Sequence, residues 1–202
     1  MPPRKKKVSG SIYQIKIELL YAPYPLWRRI VTWGDLNLSM FIHQILAVMG
    51  WQNCHMHALR IGKKEYQGFS DGMDPFSMFD SPQQPKTLNA DNFLLCDVMK
   101  KGDKAYFEYD FGDGWEHKLT VEKVFTELPE GMKVPSCLDG AGACPPEDCG
   151  GIPGLENLID IMEHPEQDPE EYNDLLDWLG GEKFKKDEFN ASSVSERIKL
   201  FQ

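Results

Sequence analysis

The sequence lacks the features that mark membrane or secreted proteins. Among its 202 residues, no apolar stretch approaches the roughly 20 residues that a membrane-spanning helix requires. The basic residues 4–7 are not followed by an apolar segment, so we expect no secretory signal. These absences predict a cytoplasmic protein that does not enter a membrane.

Disulfides and an excess of basic charge are also missing. Five cysteines are an odd number, and thiols stay reduced in the cytoplasm, so a disulfide framework fits poorly. The net charge of −10 repels a phosphate backbone, which argues against nucleic-acid binding. The basic run at residues 4–7 is more simply a solvated terminus, and we assign residues 1–10 to a flexible tail.

Hydrophobic periodicity predicts the fold of the remaining chain. Apolar residues alternate over 13–21, recur at helical spacing over 38–49, and alternate on both sides of a glycine-rich turn within 104–125. Further strands are predicted at 26–33 and 54–61, and further helices at 91–102, 154–164 and 168–180. This order fits a single α+β domain over residues 11–202, with a mostly antiparallel sheet, a β-hairpin and flanking helices.

Two segments are predicted to be loops, and one helix is predicted to bury its apolar face against the domain. Residues 68–86 lack periodicity and carry apolar residues suited to a packed cover. Residues 137–154 are rich in Cys, Gly and Pro, and we expect them to fold back against the histidine-bearing strands. In the helix at 168–180 we expect an Asp168 cap and burial of Tyr172, Leu175, Leu176 and Leu179.

Histidines and cysteines form the most specific chemical pattern. His55 and His57 share one face of the predicted strand, and His117 lies on the return strand of the hairpin. Imidazoles and thiolates are the ligands that Zn²⁺ prefers. We therefore predict a zinc site drawn from His55, His57, His117, Cys137, Cys144 and Cys149.

Simpler interpretations of these residues stay open. The histidines can hydrogen-bond carboxylates such as Asp110 or Asp113 at the edge of the core, and the cysteines can be small packing residues. A cysteine nucleophile paired with a histidine is a further alternative. We assign Trp51, Asp113 and Trp115 to a pocket wall beside the histidines, although tryptophans near a hairpin turn are commonly core residues.

Several motifs together resemble a known family. The runs "GWQNCHMHALRIG", "FEYDFGDGWEHKLTVE", "CLDGAGACPPEDCGG" and "DLLDWLGG" resemble the plasmid pRiA4b ORF-3-like family over roughly residues 11–190. The resemblance implies an α+β fold in a small prokaryotic protein. It also implies, for some members, a link to insertion elements or a resolvase-like role. An acidic chain without an evident DNA-binding helix gives that role no support.

Two functional hypotheses follow from the sequence. The preferred one is a binding or interaction domain with a structural zinc site, whose acidic surface meets a partner protein. The alternative is a metal-assisted hydrolase that uses the three histidines with a loop carboxylate from Asp139, Glu147 or Asp148. No complete catalytic set can be named, so the sequence does not decide whether the protein is an enzyme.

Overall fold

A computed structural model describes residues 10–68 and 87–201. The basic tail and the predicted cover over 68–86 therefore lie outside the described residues, apart from Gly10 and Gly68. The described strands are β1 Ile12–Leu19, β2 Trp27–Trp33, β3 His57–Ile61, β4 Lys64–Gln67, β5 Thr87–Asn89, β6 Lys104–Tyr109, β7 Trp115–Phe125 and β8 Ser136–Ala141. The described helices are α1 Leu38–Met49, α2 Leu95–Val98, α3 Gly151–Glu163, α4 Pro169–Trp178 and α5 Ala191–Ile198, with a 3₁₀ helix at Ala90–Asn92.

The described strands form one sheet in the order β5-β4-β3-β6-β7-β1-β2-β8. Neighbouring strands are antiparallel except β4 and β5, which are parallel. The predicted α+β fold with a mostly antiparallel sheet is confirmed. Within the described residues, no helix has the length and apolar character needed to cross a membrane.

Strand β1 shows why the sheet has a wet face and a dry face. Ile15 and Ile17 are fully buried and share one core with α1, whereas Lys16 and Glu18 between them are partly exposed and form an ion pair of 2.7 Å. Helix α1 begins at the cap Asn37, whose side chain accepts the Met40 N–H, and ends at Gly50 with a φ of 111°. This alternation and these caps are the signals that predicted both elements.

The predicted hairpin is confirmed and lies beside β3. Tyr109 of β6 pairs with Trp115 of β7, and Phe107 pairs with both His117 of β7 and Leu59 of β3. The turn between the strands spans residues 110–114. The sequence predicted that His55 and His57 lie on one strand. In the structure His57 is the first residue of β3, and His55 lies before the strand.

Two segments differ from the sequence prediction because backbone groups pair with distant parts of the chain. Residues 136–141, predicted as loop, form the edge strand β8 on β2, and residues from Gly151 onward belong to α3. A Cβ on Gly140 of β8 would lie 2.6 Å from the Phe189 ring, so the glycine allows close packing. The helix predicted over 91–102 is a single turn, because the Phe93 carbonyl accepts the Leu38 N–H and residues 95–96 donate to residues 34–36.

The predicted burial of α4 is wrong, although its start is correct. The Asp168 side chain accepts the Glu171 N–H at 3.0 Å, as the capping pattern predicted. However, Tyr172, Leu175, Leu176 and Leu179 are only partly buried. An amphipathic pattern identifies the face that packs but not the depth to which it packs.

Candidate metal-binding site

The segment 145–150 docks against the end of the sheet where the histidines lie. The Pro145 carbonyl accepts the Trp51 Nε1–H at 3.2 Å, and the Glu147 carboxylate accepts the Gln52 N–H at 2.7 Å. Gly150 N–H donates to Asp113 at 3.1 Å. The cysteine-rich segment therefore folds back toward the hairpin, as the sequence predicted.

This docking places one imidazole among three carboxylates. His55 Nε2 lies 3.1 Å from Asp148 Oδ1, 3.6 Å from Asp110 Oδ2 and 3.9 Å from Glu147 Oε2. Cys54 precedes His55, and its thiol falls within 4.8 Å of ligand atoms of His55 and Glu147. We call these five residues the His55 cluster.

Unusual backbone conformations hold the cluster. Within the described residues, four residues other than glycine have positive φ, and three of them, Asn53, Asp110 and Asp148, lie in or next to the cluster. Asparagine and aspartate tolerate this conformation better than most residues, but it still costs free energy. The Asp110 carboxylate offsets the cost by accepting the Gly112 N–H at 2.9 Å.

Neutral donors orient the carboxylates. Glu147 accepts both the Gln52 N–H and the Tyr109 hydroxyl, the latter at 3.0 Å. Burial raises the pKa of Tyr109, and the neighbouring Cys54 and Glu147 raise it further, so the hydroxyl stays protonated and donates. The Tyr109 oxygen also lies 3.6 Å from the Cys54 sulfur, which ties the thiol to the same hydroxyl.

The free nitrogen of His55 is the most informative atom of the cluster. Nε2 is buried and makes no hydrogen bond of acceptable geometry, although Asp148 Oδ1 is 3.1 Å away. The short distance therefore records proximity and not a hydrogen bond, because a hydrogen bond requires alignment as well as a short distance. A nitrogen that faces carboxylate oxygens without bonding them is arranged as metal ligands are around an ion.

Two overlapping sets of ligand atoms meet at His55. Cys54, His55 and Glu147 form one set, and His55, Asp110 and Asp148 form the other, each within 4.8 Å. Nitrogen, oxygen and sulfur together suit zinc and similar transition metals better than magnesium or calcium. Asp148 has 70 % of its side chain exposed, so the cluster opens to solvent on one side.

The other two predicted histidines pack against Phe107. His57 packs its ring 5.9 Å from Phe107, and burial lowers its pKa. His117 is fully buried, with Nδ1 3.1 Å from the Phe107 carbonyl, and burial lowers its pKa to about 4. Neither belongs to a group of three metal-ligating side chains within the described part of the chain.

The three loop cysteines are likewise apart from the cluster. The Cys137 thiol donates to the Asp139 carbonyl at 3.4 Å, and Cys144 lies near Arg28 and Arg197. Burial raises the pKa of all three thiols, that of Cys149 to about 12. Over residues 10–68 and 87–201, none of them joins a candidate ligand group. Of the six predicted ligands, the structure places only His55 in such a group.

The predicted pocket residues have structural contacts. Trp51 and Trp115 are buried, with ring centroids 6.0 Å apart, and Trp51 meets the edge of His117 at 5.1 Å. Asp113 accepts the Gly150 N–H and so anchors the docked segment. Trp51 and Asp113 therefore both contact the docked segment 145–150.

Residues 11–193 match the plasmid pRiA4b ORF-3-like protein family. The chain belongs to this family. Over 191 residues it is 30% identical to the uncharacterized protein y4hQ of Sinorhizobium fredii, covering 94% of this chain and 91% of that one. It is also similar to the crystal structure of a protein of unknown function, MM3350, from Methanosarcina mazei Go1, with 27% identity and a TM-score of 0.77. That similarity covers 94% of this chain and 99% of the other.

The sequence of this pRiA4b ORF-3-like protein underpredicted the acidic part of the cluster. From the sequence, Asp110 was expected only to hydrogen-bond the histidines, and Glu147 and Asp148 were expected only as candidate bases. Cys54 was not expected at the site. An aspartate at the start of the "DFGDG" turn was the available signal, because such a turn readily adopts positive φ. The adjacent acids of "PPED" became relevant only through the docking of their segment.

Proposed function

We propose that this pRiA4b ORF-3-like protein is a metal-binding domain whose His55 cluster holds a divalent transition-metal ion, zinc in the first place. The observation that carries the proposal is the position of His55 Nε2, which is buried, unbonded and within 3.9 Å of three carboxylates. A bound ion would join the hairpin turn to the docked segment 145–150. Such a link would stabilise an interaction domain that has little regular structure at this end.

Charge supports the proposal. Within the described residues, His55 is the sole ion-pair partner of Asp110, Glu147 and Asp148. One imidazole carries at most one positive charge, so three ionised carboxylates leave an excess of negative charge in a small volume. A divalent cation would balance that charge and coordinate the free nitrogen.

The state of the cysteines bears on the cellular location. All five are free. We place the protein in the cytoplasm, where thiols stay reduced and a thiol at position 54 remains available to a metal. An acidic surface around the cluster would suit a partner protein with a basic face.

The first test is elemental analysis of protein purified without added metal or a metal-affinity tag. We expect close to one transition-metal ion per chain, or stoichiometric zinc binding by calorimetry after treatment with EDTA. In His55→Gln the zinc affinity should fall at least about tenfold, because one ligand of a small set is lost. His164→Gln is the matched control, since His164 is a surface histidine 3.7 Å from a carboxylate, that of Glu166.

Further variants separate this site from the predicted His/Cys site. Asp148→Asn should weaken zinc binding, whereas Cys149→Ser and His57→Gln should leave it unchanged. Zinc affinity that is insensitive to His55→Gln, or metal-free protein that does not take up zinc, would refute the proposal. Loss of affinity in Cys149→Ser without loss in His55→Gln would favour the ligand set predicted from the sequence.

Metal-assisted hydrolysis is a second candidate function. It is favoured by the solvent exposure of Asp148 and Cys54, because a catalytic zinc keeps a position open for water, whereas a structural zinc is enclosed. Glu147 would then be the general base. The test is hydrolysis of generic phosphate and carboxylate esters by zinc-loaded protein. Activity that is equal in Glu147→Gln would exclude this role for Glu147.

A further inference from the structure

A cavity other than the His55 cluster is lined by Arg28 of β2, the end of α1, residues 143–144 after β8, and residues 179–197. Its volume is about 410 Å³, within the range of small-molecule sites. Its walls include Arg28, Cys144, Lys183, Phe184, Phe189 and Arg197. We call this cavity the Arg pocket.

Within the described residues, Arg28 is a buried cation without a carboxylate partner. Only 2% of the residue is exposed, and its guanidinium donates to the carbonyl oxygens of Val48, Trp27, Ala141 and Gly142 at 2.7–3.1 Å. Nη2 carries two N–H groups and has one acceptor, so one donor is left over. Its charge is solvated by neutral groups and is not cancelled.

Arg197 leaves still more donors unused. Its Nε donates to the Ala47 carbonyl at 3.0 Å, and within the described residues Nη1 and Nη2 have no partner. Arg28 and Arg197 together satisfy carbonyl groups at the end of α1, which explains why two arginines meet there. Burial lowers the pKa of Arg28 and the like charge of Arg197 lowers it further, so the two cations repel each other.

Within the described residues, no carboxylate is paired with either arginine, although Glu182 and Glu188 line the same pocket. Burial raises the pKa of the Cys144 thiol beside both arginines, so the sulfur stays neutral. The charged lining residues are Arg28, Arg197, Lys183, Lys185, Glu182 and Glu188, with a net charge of +2. Within the described part of the chain, none of these six side chains forms an ion pair. The pocket is therefore positive on a protein whose net charge is −10.

We propose that the Arg pocket binds a small molecule that carries a phosphate monoester on a flat apolar body. The charge of a phosphate monoester at neutral pH is about −2, which matches the pocket, and its oxygens suit the forked donors of guanidinium groups. The Phe184 ring and the Leu179 side chain line the same cavity and would cover the apolar body, beside the Phe189 ring, which lies 4.8 Å from the Arg28 guanidinium carbon. A carboxylate would balance only half of the charge.

The test is calorimetric or NMR titration of the full chain with phenyl phosphate. Phenol and benzoate serve as uncharged and singly charged comparators, and we expect each to bind at least about tenfold more weakly. The protein is first treated with EDTA, and His55→Gln is included, because a metal at the His55 cluster would itself attract phosphate. Phenyl phosphate should bind equally to His55→Gln.

Charge variants of the pocket give opposite expectations. Arg197→Gln should weaken phenyl phosphate binding by about tenfold or more, whereas Glu188→Gln should tighten it several-fold. Lys199→Gln is the control at the C-terminal end of the same helix, because Lys199 does not line the pocket. If Arg197→Gln fails to fold, the double variant Lys183→Gln/Lys185→Gln should show the same weakening.

Three results would overturn the proposal. The first is no binding of phenyl phosphate at millimolar concentration. The second is equal affinity for benzoate, and the third is an affinity that neither Arg197→Gln nor Lys183→Gln/Lys185→Gln changes.

Discussion

The His55 cluster and the Arg pocket use the same short stretch of chain, residues 143–150, but gather opposite charges. In the cluster, Glu147 is held by the Gln52 N–H and the Tyr109 hydroxyl. In the pocket, Arg28 is held by backbone carbonyls. Both charges are therefore stabilised by neutral dipoles. A charge that is stabilised by neutral dipoles still attracts an ion from solvent, whereas a charge that is paired with an opposite charge of the protein is largely cancelled.

Arg28→Met should have the largest effect on stability and would test whether the pocket is structural as well as charged. It removes the donors of four carbonyl groups in a buried place, and we expect a loss of about 3–5 kcal/mol in the free energy of unfolding. Urea denaturation measures it. The neighbouring Arg29→Met removes a partly exposed pair with Glu122 and should cost about 1 kcal/mol or less. Equal losses would contradict the buried role of Arg28.

Protonation of His117, behind the cluster, should have the next largest effect. Its pKa is lowered to about 4 by burial, below the usual 6.5, so the unfolded chain takes up a proton at a higher pH than the folded one. The contribution of His117 is therefore complete above pH 6.5 and is lost as the pH falls to 4, by up to about 3 kcal/mol. In His117→Phe, the free energy of unfolding should fall less steeply over this range. Parallel pH profiles for the two proteins would exclude the effect.

Tyr109→Phe should have a smaller effect on stability, at the His55 cluster. It deletes the hydroxyl that donates to the Glu147 carboxylate and approaches Cys54. A hydrogen bond to a charged group contributes about 1.5–3 kcal/mol, and we expect a loss near 2 kcal/mol by urea denaturation. Tyr106→Phe is the control, because Tyr106 is 48% exposed on the same strand. A similar loss in Tyr106→Phe would show that the loss in Tyr109→Phe does not come from the hydrogen bond to Glu147.

Leu176→Ala in α4 should have the smallest effect. Leu176 is only partly buried, so the loss should be about 1 kcal/mol, below the roughly 2–5 kcal/mol typical of a core leucine. Leu158→Ala in α3 is the matched control, because Leu158 is 2% exposed and should show the core value. Thermal unfolding of both variants measures the difference. A larger loss in Leu176→Ala would mean that α4 packs more deeply than described.

Local patterns predicted the elements whose ends and faces are marked in the chain. Alternation in β1, the caps of α1 and the turn of the β6–β7 hairpin are all readable within a dozen residues. Strand β8 was missed because its sequence, which includes Ser, Asp, Gly and Ala, has little intrinsic strand preference and depends on pairing with β2, more than 100 residues earlier. The one-turn length of α2 was missed for the same kind of reason, since residues 34–38 take its backbone partners.

The candidate site, too, was predicted from the sequence only in part. His55 was predicted as a ligand, because the alternation over residues 54–61 placed its imidazole on the same face as that of His57. Its carboxylate neighbours depend on two turns with positive φ and on the bond between Glu147 and Gln52, which join residues 95 positions apart. The cysteines were predicted as ligands because they lie near one another in sequence, and composition does not show that each is buried in a different packing environment.

The central place of β1 in the sheet has a consequence for folding kinetics. Ile17 pairs with Leu119 of β7, which lies 102 residues later in the chain. During synthesis β1 and β2 can form their hairpin early, but the other edge of β1 must wait until β7 has emerged. That edge is rich in isoleucine and unpaired in the meantime, so the nascent chain is most prone to aggregate before residue 125 is made.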